Sequence, residues 1–255
     1  MNEKNTQLIN KTPTIYIGYD PKEKDYLDVL VYSIRKHASK TVNIVPLVQE
    51  SLRRSGLYFR THDVEHGQKV DMFDKRPFST EFSFTRFLVP FLNQHSGLAL
   101  FMDCDMFVRS DIIEVFERYG SYNKAISCVQ SSYYPNDTTK MDNQVQQVYP
   151  RKNWSSFVLW NCSHPAIKEL TVHDVNTKSG SWLHAFSWCE SEYVGSISEH
   201  WNWIDGYTSD EVVPRNVHFT SGGPLFRNWK GKREIDNHYA KEWNELYKEM
   251  IENNG

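Results

Sequence analysis

Asp103 and Asp105 stand two residues apart, directly after the apolar run Leu98-Ala99-Leu100-Phe101-Met102. Along an extended backbone, side chains at i and i+2 point to the same side. The two carboxylates can therefore converge on one hard cation while Cys104 turns away. Aspartate pairs also serve as turn and cap residues, and the spacing alone does not choose between these roles. The setting says more. A short, continuously apolar run is the signature of a central parallel strand, and parallel sheets present ligands at the carboxyl ends of their strands. A divalent cation there would neutralise a diphosphate and stabilise charge on a departing phosphate. A third ligand must come from elsewhere in the chain. His218, in Asn216-Val217-His218-Phe219, is best placed, because Gly222 and Gly223 follow it and glycine backbone approaches phosphate closely. The alternative for His218 is a hydrogen-bonded core histidine.

The elements that would position these residues read as an α/β pattern. Residues 15–19 form a short buried strand ending at the turn Asp20-Pro21, and a helix covers 24–37 with Leu27, Leu30, Val31 and Ile34 on one face. A second strand spans 42–47. Strand, helix, strand at this spacing opens a mostly parallel sheet. The polar stretch 57–75, with Gly56, His62, His66 and Gly67 in or beside it, reads as a loop. Ser79 or Thr80 caps a helix through Phe84, Phe87, Leu88 and Phe91 that stops near Ser96-Gly97. Beyond the aspartates come a helix over 111–119, a strand over 125–129 and a polar loop over 131–153 with Pro135 and Pro150, placed to close over a site. Then follow a strand over 156–160, a helix over 165–172, a short strand over 216–220 and an amphipathic helix from 237 to about 252.

With 255 residues, the chain is expected to form one catalytic domain, 1–255, whose first 13 residues are frayed. A net charge of -3 gives no overall positive field for nucleic acid or an anionic membrane. Many of the 8 Trp, 14 Tyr and 14 Phe cluster between Trp154 and Trp229, and such rings either stack on sugars or fill a core. Trp188, Trp201, Asn202 and Trp203 accordingly read either as an acceptor platform or as packing for the last helix. Cys104, Cys128, Cys162 and Cys189 form no CxxC pair, which fits reduced, partly buried thiols in a cytoplasmic protein. The polar start MNEKNTQLINKTPT lacks an apolar signal core, and nowhere do about 18 apolar residues run together. The expectation is a soluble protein that works at most beside a membrane.

Four blocks carry a resemblance to a known family: IYIGYDPKEKDYLDVLVYSIRKHAS, FSFTRFLVPFLNQHSGLALFMDCDMFV, RKNWSSFVLWNCSHP and VHFTSGGPLFRNW. On them the chain resembles the retaining GT-A-fold glycosyltransferases of the glycogenin and bacterial lipopolysaccharide galactosyltransferase family. It looks closer still to a bacterial and viral branch of that family. The resemblance implies a single GT-A-like domain, with a Rossmann-like, mostly parallel sheet flanked by helices and the DxD motif at a strand end. It implies Mn2+ or Mg2+ on Asp103, Asp105 and His218, with a nucleotide-sugar donor, UDP-sugar favoured. Gly18, Tyr19 and Asp20 would hold the nucleoside, and Arg86 would reach the donor's sugar or phosphates. Asn153, Trp154, Ser155 and Ser156 would line the sugar pocket, and Gly222 and Gly223 would meet phosphate. The chain departs from the family where a Lys-Pro-Trp usually follows the metal histidine. It has Pro224-Leu225-Phe226-Arg227-Asn228-Trp229 instead, so Arg227 or Lys230 is the substitute for the phosphate-binding lysine. Glu190 or Glu192 would fill the family's acidic or amide segment.

The expected function is transfer of a hexose to an acceptor hydroxyl on a glycan, glycolipid, protein or small molecule, with a nucleic-acid acceptor disfavoured by the charge. A nucleotidyltransferase acting on sugar phosphates is the nearest rival, although IGYDPKEKDY offers only Gly18 where a Gly-rich basic loop is wanted. An aspartyl-nucleophile phosphatase fits less well, because its DxD normally follows the first strand. A non-catalytic glycan-binding protein with the same fold is the remaining alternative.

Overall fold

The computed structural model describes residues 12–131, 151, 153–225 and 238–254. β1 (Thr14–Gly18) runs to Asp20, whose side chain accepts the Lys22 amide and caps a 3₁₀ turn at Pro21–Glu23. The fixed φ of Pro21 suits the first helical position, and the turn feeds α1 (Lys24–His37), whose buried face carries Tyr26, Leu27, Leu30 and Ile34. β2 (Asn43–Leu47) and α2 (Gln49–Arg54) follow. Next come β3 (His62–Glu65), β4 (Gln68–Asp71) and β5 (Pro77–Phe78), then a 3₁₀ helix at Thr85–Leu88 leading into α3 (Val89–Leu92). β6 (Leu98–Met102), β7 (Met106–Val108), α4 (Ile113–Tyr119) and β8 (Ile126–Val129) form the middle of the chain. β9 (Phe157–Asn161), α5 (Val172–Thr177), α6 (Gly180–His184), β10 (Val194–Ile197), β11 (Trp203–Ile204), β12 (Asn216–His218) and α7 (His238–Asn254) complete it.

The central sheet has the order β10-β8-β9-β6-β1-β2. β1 runs parallel to β2 and β6, β8 parallel to β10, and only β9 opposes its neighbours. The mostly parallel α/β fold expected from the sequence is the one observed. β6 is buried along all five residues, as a central strand must be. A second sheet, β11-β12-β7, packs Phe107, Trp203 and Val217 with Tyr26 and Val29 of α1 and with Trp243, Leu246 and Met250 of α7. No helix among the described residues is long and apolar enough to cross a membrane.

Several expected elements come out differently. The stretch 57–75 is not a loop: β3, β4 and β5 form a small antiparallel sheet. His66 and Gly67 join β3 to β4 with φ of 51° and 79°, the two positive values that a tight two-residue hairpin turn requires. Beneath it Arg60 and Asp71, both almost fully buried, make a two-pronged ion pair at 2.8 and 2.6 Å. Arg60 also donates to the Val175 and Lys178 carbonyls and lies 3.9 Å over the Phe84 ring. The helix expected from 79 or 80 is a run of turns, a 3₁₀ turn and one α turn, since Pro90 cannot donate to a continuous helix. Thr80 bonds the Ser83 hydroxyl, and the 3₁₀ turn has no side-chain cap. The helix expected over 165–172 is divided into a 3₁₀ turn at Pro165–Glu169 and α5, which a Thr171–Asp174 capping box starts afresh. Of the start expected to be frayed, Pro13 is in place and accepts the Asn43 amide. Residues 1–11, the expected closing loop over 132–150, and Arg227 and Lys230 lie outside the described residues.

All four cysteines are free and buried. Burial pushes the thiols of Cys128 and Cys162 up to about 12, so the native protein is expected to react slowly with Ellman's reagent at pH 8 and to titrate four thiols once unfolded. The buried ion pair gives a second prediction. Asp71→Ala leaves the Arg60 guanidinium charged and enclosed, and urea denaturation is expected to show a loss of about 3–5 kcal/mol.

Candidate active site

The register between β1 and β6 matches Ile17 with Met102, so the chain leaves both strands side by side, at Gly18 on one and Asp103 on the other. Asp103 is held by its own amide, which donates to the Ser156 carbonyl at 2.9 Å, and by Arg86, whose Nη1 stands 3.0 Å from its Oδ1. Two residues on, the Asp105 carbonyl accepts the Phe219 amide at 2.8 Å. Between them the backbone reverses into β7, which pairs antiparallel with β12 and sets Met106 opposite His218. The result is that His218 Nε2 lies 3.2 Å from Asp105 Oδ1. Asp103, Asp105 and His218 each offer a ligand atom within 4.8 Å of the others.

The tautomer of His218 follows from its neighbours. Asn202 Nδ2 donates to Ser156 Oγ at 2.9 Å, and Ser156 Oγ in turn donates to the Asn153 carbonyl at 2.6 Å. The Asn202 amide nitrogen is therefore committed to Ser156, and its oxygen faces His218 Nδ1 at 2.9 Å. An amide oxygen only accepts, so Nδ1 carries a proton and Nε2 is the ring nitrogen left facing Asp105. Imidazole ligands of metals are oriented in this way by the group bonded to their other nitrogen. Two carboxylate oxygens and one such nitrogen form a donor set suited to Mn2+ or Mg2+. The three ligand atoms lie close enough to one another to share one ion.

Cys104 turns away, as expected from the alternation. Its thiol donates to Glu23 Oε2 at 2.9 Å, and burial, then the Glu23 carboxylate, pushes it well above the ordinary thiol range. It stays protonated and is no ligand. Arg86 projects from the 3₁₀ turn with its Nε on the Phe82 carbonyl and Nη1 on the Ser155 carbonyl, sandwiched between the Phe82 and Phe101 rings. Asn153, with φ of 63°, opens the 3₁₀ turn Trp154–Ser156, so the expected sugar-pocket residues are drawn against the aspartates through Ser155 and Ser156. Trp154 is half-buried and donates to the Ser131 carbonyl at 3.0 Å. Ser155 Oγ meets His184 Nδ1 at 2.7 Å.

At the end of β1, both Asp20 carboxylate oxygens accept backbone amides, from Lys22 and Glu81. A side chain on Gly18 would begin 2.5 Å from the Phe82 ring. Tyr19 is partly buried against the main core. The Gly222–Gly223 turn is tied to α1 by Tyr26, whose hydroxyl donates to the Gly222 carbonyl at 2.6 Å and accepts the Leu225 amide. Gly223 has φ of 45°, and any Cβ there would meet Phe219 and Tyr26 at 2.6 Å.

One open reading is decided and one is corrected. Trp188, Trp201 and Trp203 are buried, Trp188 stacked on Trp160, Trp201 on Phe157 and Trp203 edge-on to Tyr239. They are core, not an acceptor platform, because both faces are enclosed by protein. Glu190 and Glu192 precede β10 and thus lie at the amino ends of the parallel strands, opposite the aspartates. The sequence reading missed Asn202 as the orienter of His218, and it missed Glu23 and Tyr26. Each acts through contacts 16 to 199 residues away, and no local pattern announces them.

No family model matches the chain. Over 221 residues it is 46% identical to Protein CDI of Arabidopsis thaliana, an alignment covering 85% of this chain and 80% of that one. The chain belongs to the CDI family. Among solved structures, this CDI-family fold is similar to the glycosyltransferase GlyE of Streptococcus pneumoniae TIGR4, with TM-score 0.55 and 14% identity over 96% of this chain and 63% of that one. It is similar also to the bifunctional enzyme WbbM, with TM-score 0.54 and 15% identity over 95% and 52%, and to an active-site mutant of LgtC, with TM-score 0.52 and 10% identity over 92% and 95%. The chain thus spans about half of WbbM and under two thirds of GlyE. These likenesses establish the GT-A glycosyltransferase fold.

Asn202→Leu removes the acceptor that sets the His218 tautomer. In Mn2+ titrations followed by the electron-spin signal of free ion, the variant is expected to bind 10- to 100-fold more weakly, roughly, than the native chain.

Proposed function

We propose that this protein is a retaining glycosyltransferase that moves a hexosyl group from a nucleoside-diphosphate sugar, a UDP-sugar first among them, to an acceptor hydroxyl. In this reading Mn2+ or Mg2+ is held by Asp103, Asp105 and His218. What carries it is the convergence of those three side chains at the carboxyl end of β6 in a glycosyltransferase fold. When bound, the cation would screen the diphosphate and accept charge on its leaving oxygen.

The protein's own groups would do the rest. Arg86 cannot lose its proton and lies beside Asp103, so it adds fixed positive charge where the diphosphate departs. The Gly222–Gly223 turn, anchored by Tyr26, offers backbone close to phosphate. The turn at 153–156 would line the sugar. In the transfer, the bond from the anomeric carbon to the β-phosphate oxygen breaks and its electron pair stays on that oxygen. The acceptor oxygen bonds the carbon from the same face, and its proton passes to the departing phosphate. No protein nucleophile is assigned.

The test is incubation of the protein with Mn2+ and a panel of nucleotide sugars, scoring release of nucleoside diphosphate. Release from one donor, abolished by EDTA and lowered on the order of 10³-fold in Asp103→Ala, is the expected result. Undiminished release by Asp103→Ala at saturating Mn2+ would sink the ligand assignment. Pyrophosphate among the products would instead indicate a nucleotidyltransferase. A protein that neither turns over a donor nor binds UDP with Mn2+ would be the non-catalytic glycan-binding form of the fold.

A further inference from the structure

A cavity of about 690 Å³ opens where β8 ends at Val129 and β10 at Ile197, on the same side of the sheet as the aspartates. Its size falls within the range of about 300–1,000 Å³ typical of ligand pockets. Two of its walls touch the site already described. Ile204 lies opposite His218 in the β11–β12 pairing, and Ser131 receives the Trp154 indole. A molecule in the cavity would therefore sit against the sugar-pocket turn and the strand that carries His218.

Its chemistry is specific. The cavity is lined by Gln130, Ser196, Ser198, Glu199, Tyr207 and Thr208, beside Ser131 and Ser209. Hydroxyl and amide groups dominate and Glu199 supplies a carboxylate, while among the described lining residues there is no Lys or Arg. Hydroxyls and amides pair with a sugar's hydroxyls in either direction, donating or accepting. A phosphate would meet the Glu199 carboxylate with no cation among the described lining residues to offset it, and like-charge juxtaposition disfavours binding.

We propose that this cavity is the acceptor site and that it takes a neutral, polyhydroxylated acceptor, the uncharged end of a glycan, in preference to one bearing phosphate. The proposal rests on the transferase reading above and deepens it. Saturation-transfer NMR on the full chain with Mn2+ and UDP tests it, using methyl α-glucoside and methyl β-galactoside against glucose 6-phosphate and galactose 6-phosphate. The neutral glycosides are expected to bind at least about 10-fold more tightly than the phosphates. Ser196→Trp places an indole in the cavity from an exposed strand position and is expected to abolish that binding. Glu199→Lys, with circular dichroism confirming its fold, is expected to erase or reverse the preference. Phosphates binding as well as glycosides in the native protein, no binding by any of the four, or glycoside binding unchanged in Ser196→Trp would overturn the proposal. Donor turnover without glycoside binding overturns the cavity and leaves the transferase standing. Glycoside binding that Ser196→Trp removes, in a protein that neither turns over a donor nor binds UDP with Mn2+, upholds the cavity as a glycan site and overturns the transferase.

Discussion

Two carboxylates held nearly out of water at the end of a buried strand are the constraint on which the rest of this structure turns. Asp103 and Asp105 expose 9% and 8% of their surfaces. Enclosed like charges raise each other's energy, and burial of an uncompensated charge costs several kcal/mol. The fold sets the Arg86 guanidinium beside Asp103 and the imidazole of His218 beside Asp105. Neither flank is a surface side chain that happens to reach inward. Arg86 is fixed by two carbonyls and two aromatic rings, and His218 by Asn202. Carboxylates enclosed in this way are what the proposed cation would act on, and that is the physical sense of the cation-and-diphosphate reading.

Precision at this point comes from sheets more than from loops. β6 delivers Asp103 from the large sheet, and β7 then β12 deliver His218 from the small one, with the Phe219 amide to Asp105 carbonyl bond sealing the junction. Groups carried by strands are held more tightly than groups carried by loops. The cavity at the ends of β8 and β10 meets this framework at one strand position, Ile204, which lies opposite His218 in the β11–β12 pairing.

What could be read from the sequence follows from range of interaction. The apolar run 98–102, the helix at 24–37 and the DxD at a strand end are set by burial and periodicity within a few residues, and they appear where expected, β6 and α1 to the residue. The hairpin at 62–71 was hidden because its strands are short and polar, β3 largely exposed and β4 only partly covered. Its only local signal was His66-Gly67, a pair that tolerates positive φ. The helix expected at 79–91 failed on a single proline whose effect competes with an apolar pattern. The tryptophans at 188, 201 and 203 were ambiguous for a physical reason, because a ring suited to a sugar face is equally suited to a core. Topology decides that question, and local pattern does not contain topology.

The opening of α1 then explains how two distant halves of the site keep one geometry. Glu23, the last residue of the turn that Asp20 caps, accepts from Cys104 at the centre of the DxD. One turn later Tyr26 holds Gly222 and Leu225, the turn that follows His218. The DxD segment and the Gly222–Leu225 turn, more than 100 residues apart in the chain, are thus both pinned to four residues, 23–26. The donor in the first contact has to be small, because Cys104 is wholly enclosed, and it has to keep its proton, because a thiolate beside Glu23, Asp103 and Asp105 would add a further negative charge to a site already crowded with them. Its raised thiol satisfies both demands, so the middle residue of the motif is constrained by the same electrostatics as the two aspartates that flank it.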